Sequence, residues 1–381
     1  MAFNAQKLAL IKPRAKSCYE RWIESEGVSV VEGFGVSDVR HLSLSRWHRL
    51  GCDGAYLRLH GIDGSTGAYV GRIAPGTTTE PERHLYEKVI YIIHGEGVAE
   101  FQQRGRVPQS IAWKAGSLFA PPLNATHRLI NHGKEPALFL AVTTAPMILD
   151  HFHNEQFIFQ SDFAFVERYD GEDGYFDDNG RRYLAGNGRQ WIWETNFISD
   201  ACKVALDAQR QKRAGVHATQ FEIADNTLVG ELGESPVGRS YPAQVRGGGA
   251  VIVVLRSEGY SLIWPKHAGR RPYENGCGDR VVRINWQSGS IFSPPAGWFH
   301  QHFNTGPSAA LYLSLRCDSQ KFPLGARVAP LRMAVYTSVE AEGMAGEPDR
   351  SDREIQRLYG AELARRGIAL DADYAAAANQ D

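Results

Sequence analysis

Two stretches of the chain repeat one another. Residues 115–142, AGSLFAPPLNATHRLINHGKEPALFLAV, and residues 288–315, SGSIFSPPAGWFHQHFNTGPSAALYLSL, share the frame G-S-[LI]-F-[AS]-P-P-x4-H-x3-N. In each copy a short loop and a second apolar strand follow. The copies lie about 173 positions apart, and a frame held over that distance marks two related units fused in tandem. VIYIIHGEG ahead of the first copy and VIVVLRSEG ahead of the second carry the repeat upstream. Any fold assigned to one half must therefore serve the other.

The repeated unit is built from strands. AYVGRIAPG, VIYIIHGEGVAEF and ALFLAVTTAP are rich in β-branched and aromatic residues and are bounded by Gly and Pro. The 39 glycines and 18 prolines are spread along the chain, as expected where tight turns join many strands. Helical patterns are confined mainly to the ends. SCYERWIESEG sets Tyr19, Trp22 and Ile23 on one helical face and stops at Gly27. SDREIQRLYGAELARRG opens with Ser351 and Glu354 in capping-box spacing, and Ile355, Leu358, Tyr359 and Ala361 or Leu363 make its apolar stripe. The polar, Gly/Asp-rich run YDGEDGYFDDNGRRYLAGNG reads as a linker between the halves. The resulting division is an N-terminal arm over 1–50, a barrel over 51–168, a linker over 169–190, a second barrel over 191–325 and a helical tail over 326–381.

The motifs resemble those of the cupin superfamily, specifically a bicupin with two β-barrels in one chain. That family's first motif is G-x5-H-x-H-x3-E-x6-G and its second is G-x5-P-x-G-x2-H-x3-N. In the first half, Gly76, Glu82, His84, Lys88 and Gly95 hold every spacing of the first motif. Gly116, Pro122, Asn124, His127 and Asn131 hold the second, with Asn in place of Gly. In the second half, Gly289, Pro295, Gly297, His300 and Asn304 match fully. Gly238, Gln244, Arg246 and Ala250 keep the first-motif spacing there but carry no ligand residue. The fold implied is all-β: two tandem cupin barrels (double-stranded β-helix, jelly-roll) with short terminal helices.

By resemblance, cupins hold one divalent metal through the two histidines and glutamate of the first motif and the histidine of the second. Residues two apart on a strand face the same way, so the pair at 82 and 84 projects into the barrel. In this chain the four positions are Glu82, His84, Lys88 and His127. Two readings stay open. In one, Glu82, His84 and His127 form a two-histidine, one-carboxylate triad suited to Fe(II), with Mn, Ni or Zn acceptable on ligand type. In the other, Lys88 pairs with Glu82 across the site, which would then work without metal. An ammonium beside a divalent ion is electrostatically costly. Glu87, one position early, faces the opposite side of the strand. Tyr91, on the motif strand, joins Glu82 and Lys88 as a candidate catalytic residue.

In the second half only His300 survives among the ligand positions, and one imidazole cannot hold a divalent ion. Arg246 there is suited to grip a carboxylate. Gln244, Arg246, Trp298, His300 and His302 are thus the candidate substrate-binding residues. HFHN at 151–154 reads as structural, and strands such as FIFQSDFAF at the barrel edges suggest a homodimer.

Composition narrows the classes further. A formal net charge of −1 and a pI near 6.9 give no broad basic field for nucleic acid or an anionic membrane. Five scattered cysteines with no C-x-x-C fit a reducing cytoplasm. No G-x-G-x-x-G, G-x4-G-K-[ST] or G-x-S-x-G occurs, so neither a nucleotide nor a flavin is expected. The resemblance implies an oxidoreductase, of the gentisate, quercetin or oxalate type, acting on a small organic acid or hydroxylated aromatic. A metal-free isomerase or lyase using Glu82 and Lys88, and a non-catalytic binding protein, are the alternatives.

Overall fold

The structure, a computed structural model, describes residues 15–62, 64–178, 180–184, 191–206, 217–240, 243–245, 249–324 and 352–370. Its strands form two barrels, each from one long and one short sheet. In the first, strands Cys52–Leu59, Gly67–Ile73, Ala137–Thr143 and Lys88–His94 lie side by side in that order. The short sheet facing them pairs Thr126–Asn131, Glu96–Gln102 and Gln109–Lys114. The second barrel repeats the plan. Its long sheet runs His217–Ile223, Leu228–Ser235, Ala310–Cys317, Val251–Arg256, and its short sheet Gln244–Val245, Trp298–Asn304, Glu258–Pro265, Val282–Gln287. The all-β, two-barrel architecture expected from the repeat is the one found.

The long sheets stack on each other, and this decides which strand residues face a barrel interior. Lys88, Ile90 and Ile92 point inward, and the two isoleucines join the first barrel's core of Trp47, Tyr56, Tyr69, Tyr86 and Phe139. Val89 and Tyr91 point outward, into a shared core with Leu140, Val142, Phe221, Val253 and Leu313. Strand Ala137–Thr143 is buried at every position because both its faces are covered. Glu87 faces the second barrel as well. Its carboxylate accepts from the Thr227 N–H (2.9 Å), the Thr227 hydroxyl (2.7 Å) and the Leu228 N–H (3.0 Å).

The barrels also exchange arms, a feature the sequence reading did not anticipate. Gly35–Val36, from the N-terminal arm, adds to strand Ile291–Phe292 of the second barrel. Phe197–Ile198, from the second half, adds to Leu118–Phe119 of the first. Each arm ends in a clasp. Asp38 caps the turn Val39–His41, and the Val39 N–H donates to the Gly289 carbonyl at 2.9 Å. Asp200 caps Ala201–Lys203, and the Ala201 N–H donates to the Gly116 carbonyl at 2.8 Å. The motif glycines are required here. Both have φ of +92°, and a Cβ on Gly116 would lie 2.6 Å from the Asp200 carboxylate. The parallel GVSD and FISD, at 35–38 and 197–200, is the sequence trace of this exchange.

Helices close the outer ends. Cys18–Ser25 begins with a capping box, Ser17 and Glu20, and buries Trp22 and Ile23 against the first barrel. Ala145–Phe152 and Glu155–Gln160 complete that lid, so HFHN is a helix end and cap, and FIFQ is helical where a strand was expected. Apolar Phe and Ile there serve helix packing: Phe159 stacks on Trp22 at 5.5 Å. Arg353–Arg365 lies on the second barrel through Ile355, Tyr359 and Leu363. Its cap is Asp352, which accepts from the Glu354 N–H at 2.9 Å; Ser351 lies outside the described residues. No helix among the described residues is long and apolar enough to cross a membrane.

Candidate functional site in the first barrel

Three candidate residues meet as the motif spacing predicts. Glu82 and His127 face each other across an antiparallel bridge, each N–H donating to the other's carbonyl at 2.9 Å. Lys88, at the start of its strand, reaches between them. Its Nζ lies 2.5 Å from Glu82 Oε1 and 3.1 Å from His127 Nε2, while those two atoms are 3.6 Å apart. His84 stands beside them, its ring 5.3 Å from that of His127 and stacked on Tyr86 at 3.6 Å.

Hydrogen bonds assign the tautomers. His84 Nδ1 faces the Tyr86 carbonyl at 2.8 Å, and His127 Nδ1 faces the Ala125 carbonyl at 3.1 Å. Both Nδ1 atoms are donors, so both Nε2 atoms keep a lone pair. The lone pair of His127 receives a Lys88 proton. His84 Nε2 is buried and has no hydrogen-bond partner among the described residues.

The charges alternate along a short chain. Burial alone would raise the proton affinity of Glu82, but Lys88, His127 and Arg49 outweigh it and hold its carboxyl well below the usual carboxylate range. Burial lowers the Lys88 ammonium against the pull of Glu82. Burial, then Lys88, pushes His127 down to about 4, and the same two causes put His84 well below an ordinary histidine. Both imidazoles are therefore neutral near pH 7. Because the unfolded histidines titrate near 6.5, unfolding takes up protons below that pH. The melting temperature is thus expected to fall as pH drops from 6.5 towards 4 and to show no histidine contribution above 7. A midpoint that rises between pH 7 and 5 contradicts this assignment.

Arg49 belongs to the site and was not expected from the sequence. It leaves the loop before strand Cys52–Leu59, donating to Glu26 at 2.6 Å and to Glu82 Oε2 at 3.1 Å. Its guanidinium lies 5.2 Å from the Trp22 ring, 5.3 Å from Trp47 and 6.0 Å from Phe159. No motif spacing points to it; only the short sequence RWHRL beside the first strand could have drawn notice.

Tyr91 is a correction. It stands three residues from Lys88, an odd spacing on a strand, and so faces the shared core between the barrels, away from Glu82.

Metal fit turns on Lys88. An ion held by both Glu82 Oε1 and His127 Nε2 at the usual distance of roughly 2.1 Å would take the space the ammonium fills. Among the described residues no group of three or more His, Cys, Asp or Glu is placed to hold an ion. As arranged, with Lys88 protonated, the residues do not fit a divalent metal.

In the second barrel, Trp298, His300 and His302 alternate along one strand and share a face. Gln244 pairs with His300 across the short sheet. His302 Nδ1 lies 2.7 Å from the Ser261 hydroxyl, which accepts from the Trp286 indole N–H at 3.0 Å. Arg246 lies outside the described residues. Two surface clefts, of about 240 and 350 Å³, are lined by Arg83, Arg104 and Asp162 and by Glu258, Arg283 and Arg366 respectively; neither is lined by Glu82, Lys88 or His127.

The first barrel matches a known domain family. Residues 69–143 match the family model described as cupin domain, which covers the first barrel's motifs. No curated protein matches the sequence. Among solved structures, an oxalate decarboxylase from Bacillus subtilis at pH 4.6 is 13% identical, covers 76% of this chain and 77% of its own, and has a TM-score of 0.46. A variant of oxalate decarboxylase from the same organism is 13% identical over 86% of this chain and 87% of its own, with a TM-score of 0.48. A Lactobacillus farciminis oxalate decarboxylase, in a formate complex, is 11% identical over 74% and 85%, with a TM-score of 0.47. Likeness at that level carries no functional argument. The first barrel is a cupin barrel, the second repeats its strand plan, and the fold is that of a bicupin.

Proposed function

We propose that this bicupin is an enzyme whose first barrel moves protons on a small organic acid, with Glu82 as base and Lys88 as acid. The observation that carries this reading is the 2.5 Å contact between Lys88 Nζ and Glu82 Oε1 at the centre of the motif residues. Glu82 takes a proton from a carbon next to an electron-withdrawing group, and Lys88 gives one to another atom of the same molecule. One C–H bond breaks and one X–H bond forms, so the net change is an isomerisation. The pair is left neutral, and a proton passing from Glu82 back to Lys88 along their hydrogen bond restores it. Burial lowers the proton affinity of Lys88 and makes it the readier acid, while Lys88, His127 and Arg49 keep Glu82 ionised and so able to accept a proton. His127, accepting from Lys88, fixes the direction of the ammonium.

The test is hydrogen exchange with solvent. In D2O, the protein should place deuterium on at least one member of a panel of small hydroxy- and keto-acids, followed by NMR. Glu82→Gln and Lys88→Met should each slow that exchange by at least about a hundredfold. Full exchange in Glu82→Gln with the fold intact would overturn the reading.

A second reading is a metal-dependent oxidoreductase, with Fe(II) first and Mn, Ni or Zn as alternatives. It is favoured by one observation, the buried His84 Nε2, which has no hydrogen-bond partner among the described residues and belongs to a ring 5.3 Å from that of His127. It requires Lys88 to leave its present position. A bound ion would offer Lewis-acid chemistry, and with iron dioxygenase chemistry, to substrate oxygens. Elemental analysis after anaerobic loading with Fe(II), Mn(II) or Ni(II) separates the two. Near-stoichiometric metal, lost in His84→Ala and His127→Ala, supports the second reading; its absence in the wild type supports the first.

A further inference from the structure

We propose that Arg49 is the residue on which the first barrel recognises its ligand, a small flat molecule bearing one carboxylate. The inference rests on the reading of this barrel as the working site and adds the entry point and the ligand class. Glu82, Lys88 and His127 are nearly sealed: their side chains are 9%, 0% and 3% exposed. Among the described residues, Arg49 is the one cation hydrogen-bonded to this group that also reaches the surface, with its side chain 30% exposed. It stands under the helical lid, between Glu26 on the outside and Glu82 on the inside.

The guanidinium already sits as an anion receptor. Its Nε serves Glu26 and one Nη serves Glu82; among the described residues its second Nη has no hydrogen bond. With one Nη unused and the other released from Glu82, the end of this planar fork is suited to take a carboxylate in bidentate fashion. Of the three rings around it, Trp22 and Trp47 are buried and Phe159 is half-buried, so a flat apolar body can lie against Phe159 while its carboxylate meets the fork.

The neighbours also permit the exchange. Glu26 has a second donor, the Trp47 indole N–H at 2.6 Å, and is held whatever Arg49 does. Glu82 has Lys88 on its other oxygen. An incoming carboxylate can therefore replace Glu82 on Arg49 without leaving a buried carboxylate unpaired, which is the usual barrier to opening such a site. The ligand then ends with its carboxylate at Arg49 and its next atoms facing Glu82 and Lys88.

Calorimetric titration of the full chain with benzoate tests this, with benzamide as the uncharged control. Benzoate should bind saturably, benzamide at least tenfold more weakly. Arg49→Gln should lose at least tenfold in benzoate affinity, and Arg49→Lys, which keeps charge but not the fork, should fall between. Circular dichroism melting of both variants shows whether the fold survives; if Arg49→Gln does not fold, the comparison of Arg49→Lys with wild type carries the test. Equal benzoate affinity in wild type and the folded Arg49 variants, or no binding of benzoate to wild type at millimolar concentration, overturns the proposal. The two proposals fail separately. Solvent exchange that persists in Arg49→Gln with unchanged KM removes Arg49 from recognition and leaves the proton chemistry standing. Arg49-dependent benzoate binding without any exchange does the reverse.

Discussion

Glu87→Ala is expected to lower the stability of the folded chain by about 3–5 kcal/mol. The carboxylate stands at the boundary between the barrels and is the acceptor for the Thr227 and Leu228 N–H groups and the Thr227 hydroxyl, with the Arg168 guanidinium at 3.5 Å. These donors lie at the start of strand Leu228–Ser235, and alanine leaves the buried Leu228 N–H and the half-buried Thr227 groups without that acceptor. Each such group costs about 1–3 kcal/mol. Glu87→Gln keeps the shape and one acceptor oxygen, so its cost should be smaller, about 1–2 kcal/mol. Because the lost contact lies between two units with their own cores, denaturation of Glu87→Ala should also separate into two steps. The measurement is a urea titration followed by intrinsic fluorescence and by far-UV circular dichroism. A single transition at the wild-type midpoint, seen by both probes, would show that the barrels are held together by their shared apolar core alone.

Glu87 also shows how far the sequence could be read. Strand alternation placed it opposite Lys88, which is right, but gave no sign of what it meets there, since Thr227 is 140 positions away. The same alternation excludes Tyr91 from the Glu82 group, and its odd spacing from Lys88 was visible in the sequence. The barrels themselves were legible because the repeated G-S-x-F-x-P-P frame and its histidine impose turn and strand positions. The arms Gly35–Val36 and Phe197–Ile198 were not, since strands of two residues have no periodicity to detect. FIFQ turned helical because Asn154 caps it and Phe159 finds Trp22, neither of which a count of apolar residues reveals. Arg49 sits on a turn, where no pattern binds it to a motif. Residue types at the ligand positions left the contact of Lys88 with Glu82 as one of two open readings. They did not foretell that His127 would join it as acceptor.

Lys88→Met should be the most damaging single change inside the first barrel, at about 3–5 kcal/mol near pH 7, and should abolish solvent exchange of the substrate. Methionine fills similar space but leaves the Glu82 carboxylate with Arg49 alone, in a site closed to water. Glu82→Gln leaves the ammonium with His127 only, yet costs less. The buried lysine can respond by giving up its proton, because burial already lowers its proton affinity. The double variant Glu82→Gln/Lys88→Met removes both charges at once and presents a neutral amide to a thioether. Its loss should be well below the sum of the two singles, with a coupling energy of about 2 kcal/mol or more. Chemical denaturation of the four proteins closes this cycle. Additive losses would mean that the Lys88–Glu82 contact contributes nothing as a pair and that each residue is held by its other neighbours. A sub-additive cycle, together with exchange lost in all three variants, places structure and chemistry on the same bond. Lys88 would then be both what keeps Glu82 charged inside the barrel and the acid that completes its reaction.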